Sequence, residues 1–160
     1  MKLIGIDVGI TGAVATIVDG EFINVIDMPV MKKTAGKGNM IDYVKLGSMM
    51  MDEVFYTPDK VIIESVHAMP QQGGVSNFSF GRALGIIEGI LGGIIMAGSF
   101  DIQYCTPQAW KKAAGLIGKP KDEARKVARQ LFPEAKTFLT RKKDIGRADA
   151  ILIAKFGSKK

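Results

Sequence analysis

Four carboxylates stand where they could do chemistry. Asp7 stands near the end of the short apolar run of Leu3, Ile4, Ile6 and Val8, and Glu64 closes a second such run, KVIIE. A charge at the end of a buried strand is costly unless something positive sits against it. If the two strands are parallel neighbours, the carboxylates emerge at one sheet edge about 5 Å apart. Like charges that close repel and do not both stay ionised unaided. Magnesium meets the need, because it prefers oxygen ligands and accepts a site completed by water and phosphate oxygens. Two such ions about 4 Å apart activate a water and stabilise the leaving oxygen of a phosphodiester. Taken singly, Asp7 reads equally well as a turn cap; the second acid of the same kind favours the metal.

A further acid is needed, and Asp149 and Asp144 are the candidates. Asp149 lies in RADAILIA, on a helix so apolar that it must pack on a sheet. Its carboxylate is then either on the one polar edge, with Arg147 or Lys155, or directed into a site. Asp144 lies five residues earlier, about 140° round an ideal helix, and joins Asp149 at a metal only if it belongs to the preceding loop. Asp149 ranks ahead of Asp144.

The elements that must position these acids follow from pattern. Leu3–Val8 reads as a buried strand, and Gly9 and Gly12 frame a tight turn into Ala13–Val18. Asp19-Gly20 is a strong signal for a two-residue hairpin into Phe22–Ile26, so three antiparallel strands open the chain. Met31–Asn39, MKKTAGKGN, reads as a basic loop, either a solvated connection or a place for Lys32, Lys33 and Lys37 to meet a phosphate backbone. Ile41–Phe55 is a predicted helix with Asn39 as its cap, broken by Pro58-Asp59 before the strand Lys60–Glu64. After the loop Met69–Val75 comes a helix, capped by Ser76 or Asn77, with glycines at 81, 85, 89 and 93, four residues apart and so on one face. Interior glycines weaken a helix, so the row implies close approach to the sheet or to a symmetry-related helix, the latter favoured. Asp101–Cys105 is a strand, and Thr106-Pro107 opens a helix to Ala114. Pro120–Phe132 is a helix with Ala124, Val127, Ala128 and Leu131 on its apolar side. Thr140–Gly146, a basic loop with Arg141, Lys142 and Lys143, leads into a last helix, Arg147–Phe156. Three antiparallel strands, then strands separated by helices, make a mixed sheet with helices on its faces.

Bulk properties agree. The 160 residues suffice for one domain, 1–160, and 22 basic against 16 acidic residues leave +6, which suits a polyanionic partner. The single cysteine, Cys105, excludes a disulfide framework and reads as a buried thiol, as expected of a cytoplasmic protein. No signal peptide is expected, because an apolar strand follows Lys2 at once. The longest apolar stretch, Leu84–Ala97, has 14 residues and is too short for a bilayer, so no membrane partner is expected.

The blocks GIDVGITGA, VIIESVHAMPQQGGVSNFSFGRALGIIEGIL, TPQAWKK, KDEARKVARQLFP and KKDIGRADAILIA recur in order over most of the chain. Together they resemble the RuvC-type Holliday-junction resolvases, in particular their smaller bacteriophage branch, within the RNase H-like nuclease superfamily. The resemblance implies an RNase H-like fold with a mixed five-stranded sheet, a homodimer through the glycine-rich helix, and paired nicking of four-way DNA junctions. It implies Mg2+, with Mn2+ as a substitute and two ions per active site. For a phage-encoded protein the compartment is the host cytoplasm. The family's acids correspond to Asp7, Glu64 and Asp149. A further acid or histidine, usual three residues before the last in cellular members, is here Gly146, and Asp144 is the candidate to replace it. An aromatic at the crossover corresponds to Phe78 or Phe80, although core packing is the favoured role for at least one of them. His67, the lone histidine, reads as a loop residue or a phosphate contact. Arg82, Lys111, Lys112 and Lys121 complete the candidate DNA contacts, and Trp110 reads as core. Two other classes compete: a junction- or fork-binding protein with weak or no nuclease activity, and an actin-like nucleotide-binding domain from the DVGITG loop.

Overall fold

Period-two alternation sorts the side chains of the two central strands onto opposite faces of one sheet. In β1 (Lys2–Asp7), Ile4 and Ile6 enter one core cluster, while Leu3 packs against the other. In β6 (Lys60–Glu64), Val61 and Ile63 share the first cluster and Ile62 the second. β1 and β6 pair in parallel with Ile6 opposite Ile63, so the two following residues, Asp7 and Glu64, continue the register on the face of Leu3 and Ile62. The structure, a computed structural model, describes residues 1–52, 55, 57–65, 73–95 and 100–158.

The five-stranded sheet has the order β3-β2-β1-β6-β7, with β2 (Ala13–Val18), β3 (Glu21–Asp27) and β7 (Asp101–Cys105). β1, β2 and β3 pair antiparallel and β6 joins β1 in parallel, as the sequence predicts; β7 joins β6 in parallel as well. Asp19 and Gly20 both take positive φ, 51° and 89°, which is the backbone of a tight two-residue hairpin.

One face is covered by α1 (Tyr43–Met50) and α2 (Gly74–Ile95), and the other by α3 (Pro107–Ala113), α4 (Glu123–Leu131) and α5 (Ile145–Phe156). α5 packs most intimately on β1. A Cβ at Gly5 would fall 2.3 Å from the Ala150 carbonyl oxygen and 2.4 Å from the Ala154 nitrogen, so only glycine allows this approach. That contact sets Asp149 of α5 beside the C-terminal end of β1.

Several boundaries differ from expectation. Part of the predicted basic loop and the start of the predicted first helix form a small antiparallel ladder, β4 (Val30–Lys32) with β5 (Asn39–Ile41). α1 therefore begins later, and its cap is Asp42, whose side chain accepts from the Lys45 N–H at 2.9 Å, not Asn39. The last helix starts at Ile145, and Lys142–Asp144 forms a 3-10 turn in front of it. α2 begins at Gly74, ahead of the predicted Ser76 and Asn77 caps. At 22 residues it is long and apolar enough to cross a membrane by length and composition, unlike the 14-residue stretch singled out within the sequence. Its Ala83, Ile87 and Leu91, spaced by four, seat one side in the core, while nothing lies within 4 Å of where a Cβ would stand on Gly81, Gly85, Gly89 or Gly93. The glycine row thus does not pack on the sheet; it is an open face.

Candidate active site

Asp7, Glu64 and Asp149 line one cleft of about 520 Å³ at the C-terminal ends of β1 and β6. Strand parity delivers the first two, and the glycine contact with α5 delivers the third. Each is partly buried. Among the described residues, no side-chain hydrogen bond or ion pair reaches Asp7 or Asp149. Glu64 accepts one, from the indole N–H of Trp110 at 2.9 Å.

The electrostatics follow from that shortage of partners. Burial pushes the Asp7 carboxyl well above its ordinary value, and the nearby Asp149 and Glu64 charges push it further, with Lys111 working the other way. Burial likewise pushes Asp149 up to about 7, against Lys111 and Lys121, with Glu64 adding to the rise. Hard oxygen donors that repel one another in a part-buried cleft fit a divalent cation that prefers oxygen. The three acids share the cleft without closing on a point: among the described residues, no group of three acidic, cysteine or histidine side chains is placed to hold a metal ion.

Asp144 is not brought into this cleft. Its side chain is only 1% exposed, and Arg141 occupies both carboxylate oxygens, donating from its backbone N–H at 2.7 Å to Oδ2 and from its guanidinium at 2.7 and 2.9 Å to Oδ1. Burial acts to raise the Asp144 pKa, but these bonds overcome it and hold the carboxyl below its usual range. The carboxylate expected to replace a fourth ligand is therefore spent on closing the 3-10 turn. Gly146 explains why position 146 carries no acid. A Cβ there would lie 2.2 Å from the Thr11 carbonyl oxygen and 3.1 Å from Asp7 Oδ2, so the first turn of α5 rests directly against the β1–β2 turn.

The predicted basic contacts divide. Lys111, Lys121 and Lys143 line the acid cleft, and so does Lys119, which the sequence reading missed although it alternates with Lys121 in GKPK. Lys33, Phe78 and Arg82 line an adjoining groove between the β4–β5 hairpin and the N-terminal half of α2. Phe80 lines its continuation, and Thr11 lies on both that continuation and the acid cleft. Phe78 and Phe80 are 70% and 36% exposed, so neither is core, contrary to the core packing favoured for at least one of them. Lys32, Lys37, Lys112 and Lys142 are exposed without lining cleft or groove. Arg141 is engaged with Asp144, and His67 lies outside the described residues. Trp110 is wholly buried, as expected, but its hydrogen bond to Glu64 has no counterpart in the sequence reading.

No protein-family profile matches the chain. Over 93 residues it is 34% identical to the chloroplastic Holliday junction resolvase MOC1 of Chlamydomonas reinhardtii, an alignment covering 58% of this chain and 10% of that protein. The chain thus spans about a tenth of the length of that curated relative. Its backbone superposes on RuvC of T. thermophilus in complex with a Holliday junction substrate with a TM-score of 0.61, at 16% identity, covering 96% of this chain and 90% of that one. The fold is that of RuvC. The yeast mitochondrial Holliday junction resolvase Ydc2 gives a TM-score of 0.56 at 15% identity, over 95% of this chain and 75% of that one. The RuvC-type, RNase H-like architecture expected from the sequence blocks is borne out at the level of the backbone.

Proposed function

We propose that the chain is a metal-dependent, structure-selective DNA endonuclease that resolves four-way junctions by paired nicking. One observation carries this reading: carboxylates from two strands and a helix, distant in sequence, open on a single cleft lined by lysines. The relatives support it, since MOC1 and Ydc2 are named Holliday junction resolvases and the RuvC structure holds a junction substrate.

Asp7, Glu64 and Asp149 are the residues to hold Mg2+, which when bound activates a water and stabilises the leaving oxygen of a phosphodiester. Lys111, whose charge already acts on Asp7 and Asp149, would meet the scissile phosphate, and Lys119, Lys121 and Lys143, which line the same cleft, would follow the strand. The groove beyond Thr11 offers Lys33 and Arg82 to phosphates and the exposed Phe78 ring to an unstacked base. A four-way junction has two-fold symmetry, and the open glycine face of α2 lets a second copy approach closely enough to present two clefts to it.

A second reading, junction binding without cutting, draws on the open spacing of the three acids. A synthetic four-way junction separates the two. The wild-type protein with Mg2+ is expected to give paired nicks that EDTA abolishes, and Asp7→Asn or Glu64→Gln to lower cleavage by at least about a thousandfold while junction binding persists. Identical binding with EDTA or Mg2+, and intact DNA at every salt concentration, would establish the second reading.

A further inference from the structure

We infer that Trp110 is a positioning residue for the active site: its indole N–H fixes the Glu64 carboxylate, and its ring carries Lys111 on the same cleft. The inference rests on the metal-dependent nuclease reading for its consequence, and on geometry for its existence.

Trp110 Nε1 donates to Glu64 Oε1 at 2.9 Å, across the boundary between α3 and β6. Lys111 Nζ stands 5.2 Å from the centre of the same ring. The side chain is 0% exposed, so its position is set by packing on all sides. Its backbone is equally constrained: the Thr106 side chain accepts from the Ala109 N–H at 3.2 Å, and Pro107 opens the helix. On the Glu64 side, β6 pairs Glu64 with Cys105, and the Ser65 N–H donates to the Cys105 carbonyl at 2.7 Å. Donor and acceptor are thus each tied to β7, two short steps of chain apart.

Filling this volume needs no indole. Phenylalanine or leucine would pack there without requiring an acceptor, whereas a buried indole N–H does require one. The acceptor chosen is one of the three cleft acids. Glutamate is the longest of them and has the most rotamers to lose on ligating a cation, so one oxygen held from behind leaves the other pre-aimed. The ring also steadies the neighbouring lysine through a cation–π contact. One side chain therefore sets the relative positions of an anionic ligand and a phosphate-facing cation, with no contact of its own to either metal or DNA.

Trp110 is the sole tryptophan, so the protein has one indole N–H resonance. Titrating the intact protein with Mg2+, and with Ca2+ as a non-cleaving probe, is expected to move that resonance saturably, and Glu64→Ala to abolish the movement. In junction cleavage, Trp110→Phe keeps an aromatic side chain, smaller than the indole, and removes the N–H. It is expected to raise the half-saturating Mg2+ concentration and lower kcat by about tenfold each, with junction Kd held within about twofold. A resonance that stays still in a protein that cuts junctions, or Trp110→Phe with unchanged Mg2+ dependence, overturns the inference and leaves the nuclease reading intact. A saturable shift in a protein that cuts no junction supports the positioning geometry and removes the nuclease reading. No shift and no cleavage overturns both.

Discussion

Two groups of carboxylates flank the N-terminal end of α5, and the chain treats them in opposite ways. On one side, Asp7, Glu64 and Asp149 share a cleft, and burial raises the pKa of Asp7 and Asp149. On the other, Asp27 receives two hydrogen bonds from Arg147 at 2.6 and 2.7 Å, and Asp144 receives three from Arg141. The Arg147 bonds hold Asp27 below its ordinary value. The second group is held by guanidinium partners; in the first, among the described residues, no side-chain hydrogen bond reaches Asp7 or Asp149, and Glu64 has the Trp110 indole alone. Acids that a fold gathers and declines to pair are the ones to assign to a cation, whatever their spacing in sequence.

Position 146 lies on the border between the groups, and moving an acid onto it is the severest challenge to the contrast. Gly146→Asp would supply the carboxylate that the resemblance of the sequence blocks leads one to expect at this position. Yet the Cβ meets the Thr11 carbonyl oxygen at 2.2 Å, backbone against backbone, so α5 must lift from the β1–β2 turn. Displacing Asp149 from Asp7 by about an ångström is expected to cost about a hundredfold in junction cleavage, together with a fall in melting temperature. Enhanced cleavage would mean that the turn yields and that the site accepts a fourth ligand.

Asp144→Asn probes the satisfied group. Only the Asp144 end of this ion pair is buried and Arg141 is 47% exposed, so weakening its bonds is expected to destabilise the fold by about 2 kcal/mol in urea denaturation. Cleavage per folded molecule should stay within about threefold, because no Asp144 oxygen reaches the cleft. A collapse of cleavage with stability unchanged would transfer Asp144 to the active group.

Much of this was legible in the sequence, for identifiable reasons. Strand alternation places Asp7 and Glu64 on one face as soon as the strands are parallel, and both conditions can be read from hydrophobic pattern and helical crossovers. The β4–β5 ladder was not legible, because three-residue strands are too short to alternate, and Met40 and Ile41 fit a helical stripe equally well. The ranking of Asp149 over Asp144 could be made from apolar context. That Arg141 holds Asp144 depends on a turn geometry that spacing does not encode. Nor does spacing show that Arg141 is engaged within the protein while Lys143, two residues on, opens on the cleft. Trp110 illustrates a signal that was present and unused: a tryptophan destined for the core must find an acceptor, and a strand-end glutamate is among the few polar groups that such a core offers.

The smallest expected effect is also the most direct measure of the contrast, because the two groups bend stability with pH in opposite senses. Asp27 and Asp144 have lowered pKa values, so their stabilisation is present above the unfolded value of 3.8 and is lost as pH falls through their folded values. Asp149 is raised from 3.8 to about 7, so between those values the folded state binds a proton that the unfolded state has released. Stability of the metal-free protein therefore declines as pH rises through that window and levels off above it. Asp7 moves in the same direction, partly because of the Asp149 charge. In EDTA, wild type is expected to be less stable at about pH 8 than at about pH 5 by on the order of 2 kcal/mol. Asp149→Asn removes one raised acid and relieves the other, so it should flatten most of that decline. Added Mg2+ should restore wild type at the higher pH and do little for the variant. If the decline survives the substitution at full size, the strain in the metal-free fold lies elsewhere than among the cleft acids, and the contrast between the two groups loses its energetic basis.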